Sequence, residues 1–217
     1  MADPVTIWTL DWVPETPRGF VRDLRLRWAC EEAGLPYRIA TVPFDDRETN
    51  HLDRQPFGQV PMLEDGDLRL FESGACVIHL ARKGGMLIPA DPRAEIEVIQ
   101  WIMAALNSIE MVTMPWVVLT WSDEEFAGIT GWLDKRLAQI EAVLAEREWL
   151  VGDTFTAADL IMADVLRVDL VRKHGDRPAS EAYGRRVTDR PAFRKAHADQ
   201  LAHFAVADAN REEKSDG

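Results

Sequence analysis

Residues 57–73 read FGQVPMLEDGDLRLFES, and the fold turns on how they are read. Val60 to Glu64 has the alternation of a strand, yet its second residue is Pro61. A proline cannot donate to a β-ladder, and it is the residue before which a cis peptide bond is tolerated. A backbone held in that way just ahead of a hairpin is expected to serve something outside the sheet. Asp65-Gly66 then reads as a two-residue type I′ turn, with DLRLF as the antiparallel return strand. Glu72-Ser73-Gly74 opens a helix that carries Ala75, Cys76, Ile78 and Leu80, and Gly84-Gly85 closes it.

Upstream, VTIWTL (5–10) is a short β-branched strand that ends in the proline-marked loop DWVPETPRG. From Phe20 the period changes to that of a helix. Phe20, Val21, Leu24 and Trp28 share one face, Arg22, Arg25 and Glu32 lie elsewhere, and Gly34 with Pro36 gives the stop. YRIATVPF (37–44) returns to strand alternation and is followed by a charged stretch, DDRETNHLDRQ, read as an irregular loop or short helix. A strand–helix–strand unit followed by a hairpin and a helix is a thioredoxin-like arrangement, and Pro61 falls where that fold keeps a cis-proline.

Downstream, MLIPADPR (86–93) is the clearest boundary, with Asp91 placed to cap a helix and Pro92 at its first position. Beyond it apolar residues recur at helical spacing: Ile96, Ile99, Met103 and Leu106, then Phe126, Ile129, Leu133, Leu137, Ile140 and Leu144. FTAADL (155–160) is a capping box, with Thr156 as the cap, Asp159 three residues on, and Phe155 and Leu160 placed as a hydrophobic staple. The polar tail ADANREEKSDG is expected to fray. The expected organisation is an α/β domain at 1–84, a linker at 85–91 and an all-helical domain at 92–217.

Composition narrows the function classes. The chain has 217 residues, 47% of them hydrophobic, enough for a substantial core. A net charge of -12 repels phosphate backbones and anionic lipid, so neither nucleic acid nor membrane is expected as a partner. No run of about 18 consecutive apolar residues suggests a membrane span, and the start MADPVTIWTL lacks the pattern of a leader. Cys30 and Cys76 sit on apolar helical spacing with no paired motif, which suits buried thiols in a reducing, cytoplasmic setting. The five histidines form no ligand spacing, and no metal is inferred.

FGQVPMLEDGDLRLFES, the linker LIPADPRA and the helix start VGDTFTAADL, in this order and spacing, closely resemble the cytosolic glutathione transferases. The resemblance covers nearly the whole chain. It implies glutathione as co-substrate, a homodimer, and a role in detoxification of small molecules. Glutathione is an extended anionic tripeptide, which a protein can hold by strand-like backbone bonds and by donors to its carboxylates. The resemblance places the Val60 backbone, turned outward before Pro61, on the cysteine portion, and Glu72 and Ser73 on the γ-glutamyl end. Gln59 borders the site, and Arg47 stands where a basic residue meets the glycine carboxylate. Each has a plainer reading. Ser73 serves equally as a helix cap, Glu72 as a first-turn acid, Pro61 as a feature of the fold alone, and Arg47 as a solvated loop charge.

The chain departs from the family at the end of the first strand, where a hydroxyl or thiol normally stabilises the glutathione thiolate. RGFVRDLRLRWA resembles the helix-one start of tyrosine-type members, but the tyrosine falls on Trp12 or Pro14 according to the gap. Thr16, with its hydroxyl, is the first candidate for the catalytic role. Arg18, with a permanent charge, and Trp12, with an indole N–H, follow it. The alternatives are that Trp12 packs under the linker and Arg18 pairs with an acid across the domain boundary.

By the same resemblance the helix after the linker lines an electrophile pocket, with Asn107, Met111, Met114 and Trp116 as its candidates and Pro115 expected to kink or end that helix. The second substrate is then a small apolar electrophile or a disulfide. Two other classes stay open: a transferase-like module decayed to binding or interaction, and a glutathione-dependent isomerase, whose usual serine-rich loop is absent.

Overall fold

Pro61 does not lie inside a strand. In the computed structural model, which describes residues 3–45, 52, 54–122 and 127–215, the Val60–Pro61 bond is cis and the strand begins one residue later. β1 (Val5–Leu10), β2 (Tyr37–Val42), β3 (Met62–Asp65) and β4 (Leu68–Phe71) form one sheet in the order β2-β1-β3-β4. β1 runs parallel to β2 and antiparallel to β3, and β3 runs antiparallel to β4, which is the expected thioredoxin-like topology. Asp65 pairs with Leu68, so the hairpin loop is Gly66-Asp67, one residue later than the sequence reading put it. Only Gly66 of the two has a positive φ, 59°, so the type I′ expectation fails; the loop instead follows the class with glycine first.

α1 (Asp23–Ala33) follows β1 after a series of turns that takes up Phe20, so the helix starts later than its periodicity suggests. Its buried face includes Leu24 and Trp28 as expected, but Arg25 and Arg27 are buried too. α2 (Ser73–Gly84) packs on α1, and the approach is close: a Cβ on Gly84 would lie 2.4 Å from that of Ala33. Leu10, Val13, Val42, Met62 and Phe204 form a core cluster on the sheet, with Trp8, Val21, Phe44 and Val60 against it.

Phe204 belongs to α9 (Pro191–Ser215), and the chain divides accordingly. One unit comprises Met1–Gly84 with Pro191–Gly217; the other is Gly85–Arg190. The last helix therefore groups with the α/β half, unlike the expected division at residue 92. Phe193, Ala196, Gln200 and Phe204 of α9 are buried at helical spacing, and the helix continues to Ser215 through most of the tail expected to fray.

The second unit is helical. α3 (Pro92–Ala104) is capped by Asp91, whose carboxylate accepts from the Ala94 N–H at 3.0 Å, with Pro92 in the first turn. A π-helical stretch at Ala105–Glu110 joins it to α4 (Met111–Trp121), and Pro115 lies within α4 without ending it. The buried residues of α3 are Val98 and Ile102, and those of the π-helical stretch are Ala105 and Ile109. Of the apolar residues read from the sequence at helical spacing, Ile96 is 62% exposed, Met103 is exposed, and Ile99 and Leu106 are half-buried. Over Pro92–Trp121 the helix is long and apolar enough, by length and composition alone, to cross a membrane, a signal that counting uninterrupted apolar residues does not register.

α5 (Ala127–Glu146) buries Leu133, Leu137, Ile140 and Leu144 as expected. α6 (Ala157–Leu166) is buried throughout and opens on the predicted capping box. The Asp159 carboxylate accepts from the Thr156 N–H and hydroxyl, the Leu150 N–H and the Tyr183 hydroxyl. α7 (Asp169–Lys173) and α8 (Pro178–Thr188) complete the unit.

Candidate functional site

The strand registers decide which candidate residues meet. Met62 pairs with Phe71 on one side and Trp8 on the other. Val60-Pro61, just before Met62, and Glu72-Ser73, just after Phe71, therefore lie at one end of the hairpin. β1 leaves the sheet at that same end, carrying the loop with Trp12, Thr16 and Arg18. Residues read from three separate stretches thus converge on one edge of the first unit. Arg47 lies outside the described residues.

The chemistry offered there is mostly backbone and short polar side chains. Val60 lies outside the registered pairs of the sheet, so its main chain is not part of the ladder. Gln59 is exposed. Ser73, 5% exposed, is the first residue of α2, where backbone N–H groups lack helical partners and the dipole favours an anion. Its hydroxyl oxygen accepts from Arg25 Nη1 at 3.0 Å. Glu72 is exposed and has φ 69°, the left-handed region that costs a non-glycine residue about 1–2 kcal/mol, while its carbonyl accepts the Cys76 N–H to begin the helix.

The loop after β1 is held by the last helix. Asp208 accepts from the Trp12 indole N–H at 2.8 Å and from Arg18 Nη1 and Nη2 at 2.5 and 2.7 Å, and Arg18 also donates to the Val13 carbonyl. Hydrogen bonds from Arg18 and then Trp12 pull the Asp208 carboxyl down to about 2. Trp12 is further enclosed by Phe44, edge-on with centroids 5.5 Å apart, and by the Arg211 guanidinium 4.3 Å from its centroid. The single donor of Trp12 is therefore engaged, and the Arg18 fork is occupied by an acid of its own unit. Thr16 is exposed, and its hydroxyl has no partner among the described residues.

Below this edge α1 carries a buried ion pair. Asp23 accepts from Arg27 Nε at 2.7 Å and from Gln200 Nε2 of α9 at 2.6 Å; burial holds its carboxyl above the ordinary range despite the cation. Burial also pushes the thiols of Cys30 and Cys76 up to about 12, so neither is a thiolate near neutral pH. No group of three or more His, Cys, Asp or Glu among the described residues could hold a metal ion.

In the second unit, Asn107 and Met111 are exposed and Met114 is half-buried, at spacings that put all three on one side of the helix. Trp116 lies two residues past Met114, roughly 200° round. It packs against the His174 ring with centroids 4.9 Å apart, and His174 bonds Asp134 at 2.6 Å. The structure thus groups three of the four pocket candidates and sets Trp116 apart.

A family model described as the glutathione S-transferase N-terminal domain matches residues 17–82, and the corresponding C-terminal domain model matches 123–183. A glutathione S-transferase of Hyoscyamus muticus is 31% identical over 193 residues, which is 80% of this chain and 91% of the relative. The chain belongs to the glutathione S-transferase family. Glutathione S-transferase 1 of Zea mays is 38% identical over 151 residues, covering 63% of this chain and 70% of its own. Among solved structures, the theta class glutathione S-transferase of Xanthomonas axonopodis pv. citri, with glutathione bound, superposes with a TM-score of 0.74 at 26% identity, over 91% of this chain and 98% of that one.

In this member of the family, sequence reasoning missed two residues that lie at the candidate site. The helical spacing puts Arg25 off the apolar face, yet it is buried and reaches Ser73 from 48 residues away. Asp208 lies in a polar tail with no local signal that its partners are Trp12 and Arg18.

Proposed function

We propose that the chain is a glutathione transferase that binds reduced glutathione at the edge formed by Gln59-Val60-Pro61 and Glu72-Ser73 and directs its sulfur at a small apolar electrophile. The observation that carries this reading is the Met62–Phe71 register, which sets an unladdered backbone beside a buried serine at a helix N-terminus. Val60 offers main-chain bonds to the cysteine portion. Ser73 and the α2 N-terminus offer donors to the γ-glutamyl carboxylate, and Glu72 accepts from its ammonium. Arg47 is retained as the partner of the glycine carboxylate.

In conjugation, the thiol proton leaves to solvent, the sulfur forms a bond to carbon, and the leaving group departs with the bonding electron pair. The protein's part is to favour the thiolate. The Thr16 hydroxyl is the donor proposed for it, supported by its exposure in the loop and by the engagement of Trp12 and Arg18 elsewhere. The N-terminus of α1 adds a favourable dipole. Asn107, Met111 and Met114 are proposed to line the electrophile's pocket, the methionines giving it adaptability.

One observation favours a second reading. With the Trp12 and Arg18 donors turned to Asp208 and both cysteines buried as thiols, disulfide reduction carried by the glutathione sulfur itself asks least of the protein. There, one thiolate attacks a disulfide and releases the other half as a thiolate. A cytoplasmic location and a homodimer belong to the proposal; the outward apolar residues Ile96 and Met103 support a partner surface, which light scattering in solution tests.

The activity test is turnover of an aryl halide and of a mixed glutathione disulfide by wild type and Thr16→Ala. Conjugation that falls in Thr16→Ala, with a raised pH for ionisation of bound glutathione, supports the first reading. Disulfide turnover alone, indifferent to Thr16, supports the second. Turnover of neither leaves the binding module.

A further inference from the structure

The loop between β1 and α1, residues 11–22, contains neither helix nor strand, and α9 holds it. At its ends, His203 Nε2 lies 3.1 Å from the Leu10 carbonyl, and Gln200 Nε2 donates to the Val21 carbonyl at 2.9 Å. Its middle is fastened by a single carboxylate. Asp208 accepts the Trp12 indole N–H on Oδ1 and both terminal nitrogens of Arg18, one on each oxygen. A two-pronged arginine–carboxylate pair fixes geometry as well as adding energy. Thr16 lies between those two anchors. Within the span, Pro14 and Pro17 lock their own φ angles, and the Arg18 N–H bonds the Glu15 carbonyl at 3.1 Å across a turn that contains Thr16. What orients Arg18 therefore orients Thr16.

We propose that Asp208 is a positioning residue for the Thr16 hydroxyl, acting through Arg18 and Trp12. The proposal rests on the reading that Thr16 donates to the glutathione sulfur. The charged groups at the clasp are Asp208 itself, Arg18 and Glu15 of the loop, and Arg211, which pairs with Asp45. Asp208 has the wrong sign to favour a thiolate, so its charge alone opposes ionisation of the sulfur. Position and charge thus act in opposite directions, and experiment can separate them.

The test follows the thiolate absorbance of bound glutathione against pH, at saturating ligand, in wild type, Thr16→Ala, Asp208→Asn, Arg18→Lys and Thr16→Ala with Asp208→Asn. Thr16→Ala is expected to raise the midpoint by about one pH unit or more, as for loss of a hydrogen bond to a charged group. Asp208→Asn raises it by at least about half a unit although it removes a negative charge. Arg18→Lys, which keeps the charge and loses the two-pronged pair, raises it likewise. In the Thr16→Ala background, Asp208→Asn raises it no further. A midpoint raised in Thr16→Ala but unchanged in Asp208→Asn makes the clasp a structural tie, and one lowered in Asp208→Asn makes it a bare charge; either result overturns the role of Asp208 alone. The loop ends keep their own bonds to α9, so Asp208→Asn is expected to fold; if it does not, an unchanged midpoint in Arg18→Lys overturns the proposal in its place. A midpoint that Thr16→Ala leaves unmoved refutes the Thr16 reading itself, and the proposal falls with it.

Discussion

Replacing Glu72 by glycine should stabilise the protein and weaken its hold on glutathione at once. At φ 69° the Glu72 backbone carries a steric cost of about 1–2 kcal/mol that glycine does not. Glycine returns roughly 0.5–1 kcal/mol of this through the greater freedom of its unfolded chain. The net expectation is a gain of about 0.5–1 kcal/mol, or a rise of roughly 1–4 °C in Tm for a chain of this size. The Glu72 side chain is exposed and bonds none of the described residues, so its removal should cost the fold little. Its loss should cost binding about 1.5–3 kcal/mol, the range for a hydrogen bond to a charged group, which is a tenfold or greater rise in Kd. Calorimetric titration and thermal unfolding of Glu72→Gly, with Glu72→Gln beside it, separate the two effects. The glutamine variant should keep the Tm of wild type and lose affinity. A less stable Glu72→Gly, or a Glu72→Gln that binds glutathione as wild type does, would refute the reasoning.

Three further outcomes are expected. Gly84→Ala should destabilise the protein by about 1–3 kcal/mol in chemical denaturation, because its Cβ would meet the Ala33 methyl at 2.4 Å where two helix backbones approach; an unchanged midpoint would mean the helices part at no cost. Asp159→Ala should cost about 3–5 kcal/mol, since the Leu150 and Thr156 N–H groups lose their buried acceptor together with the α6 cap; a cost below about 1 kcal/mol would remove the box from the account of this unit. The Asp208 clasp should persist on acidification below the ordinary aspartate range. Its folded pKa is depressed to about 2 from 3.8, so the stability it gives is present above the unfolded value and is lost as pH falls through the folded one. The Trp12 indole N–H resonance should therefore hold its bonded position down to about pH 3, and a shift already complete near pH 4 would contradict the pairing.

The succession of elements in the first unit, the cis bond before Pro61, the Asp91 and Thr156 caps and the buried thiols were legible because each rests on local chemistry: a proline, a capping side chain, a periodicity. The hairpin turn slipped by one residue because Asp65-Gly66 and Gly66-Asp67 are both two-residue turns, and only the pairing of Asp65 with Leu68 distinguishes them. On α3 two apolar stripes compete, Ile96-Met103 and Val98-Ile102-Ala105, and periodicity alone does not say which faces the core. The site was legible where the chain itself is continuous, at Val60-Pro61 and Glu72-Ser73. It was not legible where a residue acts through a distant partner. Arg25 and Asp208 are charged residues in polar contexts, and only the packing of α1 on α2 and α9 brings them to Ser73 and to the loop after β1.

The account stands on one ligand site, so its most direct test is calorimetric titration of the purified protein with reduced glutathione, compared with Ser73→Ala under the same conditions. The expected result is saturable binding in the micromolar-to-millimolar range that weakens by at least about 1 kcal/mol in the variant. Absence of binding, or binding that Ser73→Ala leaves unchanged, would contradict the assignment of the edge beside Pro61 as a glutathione site.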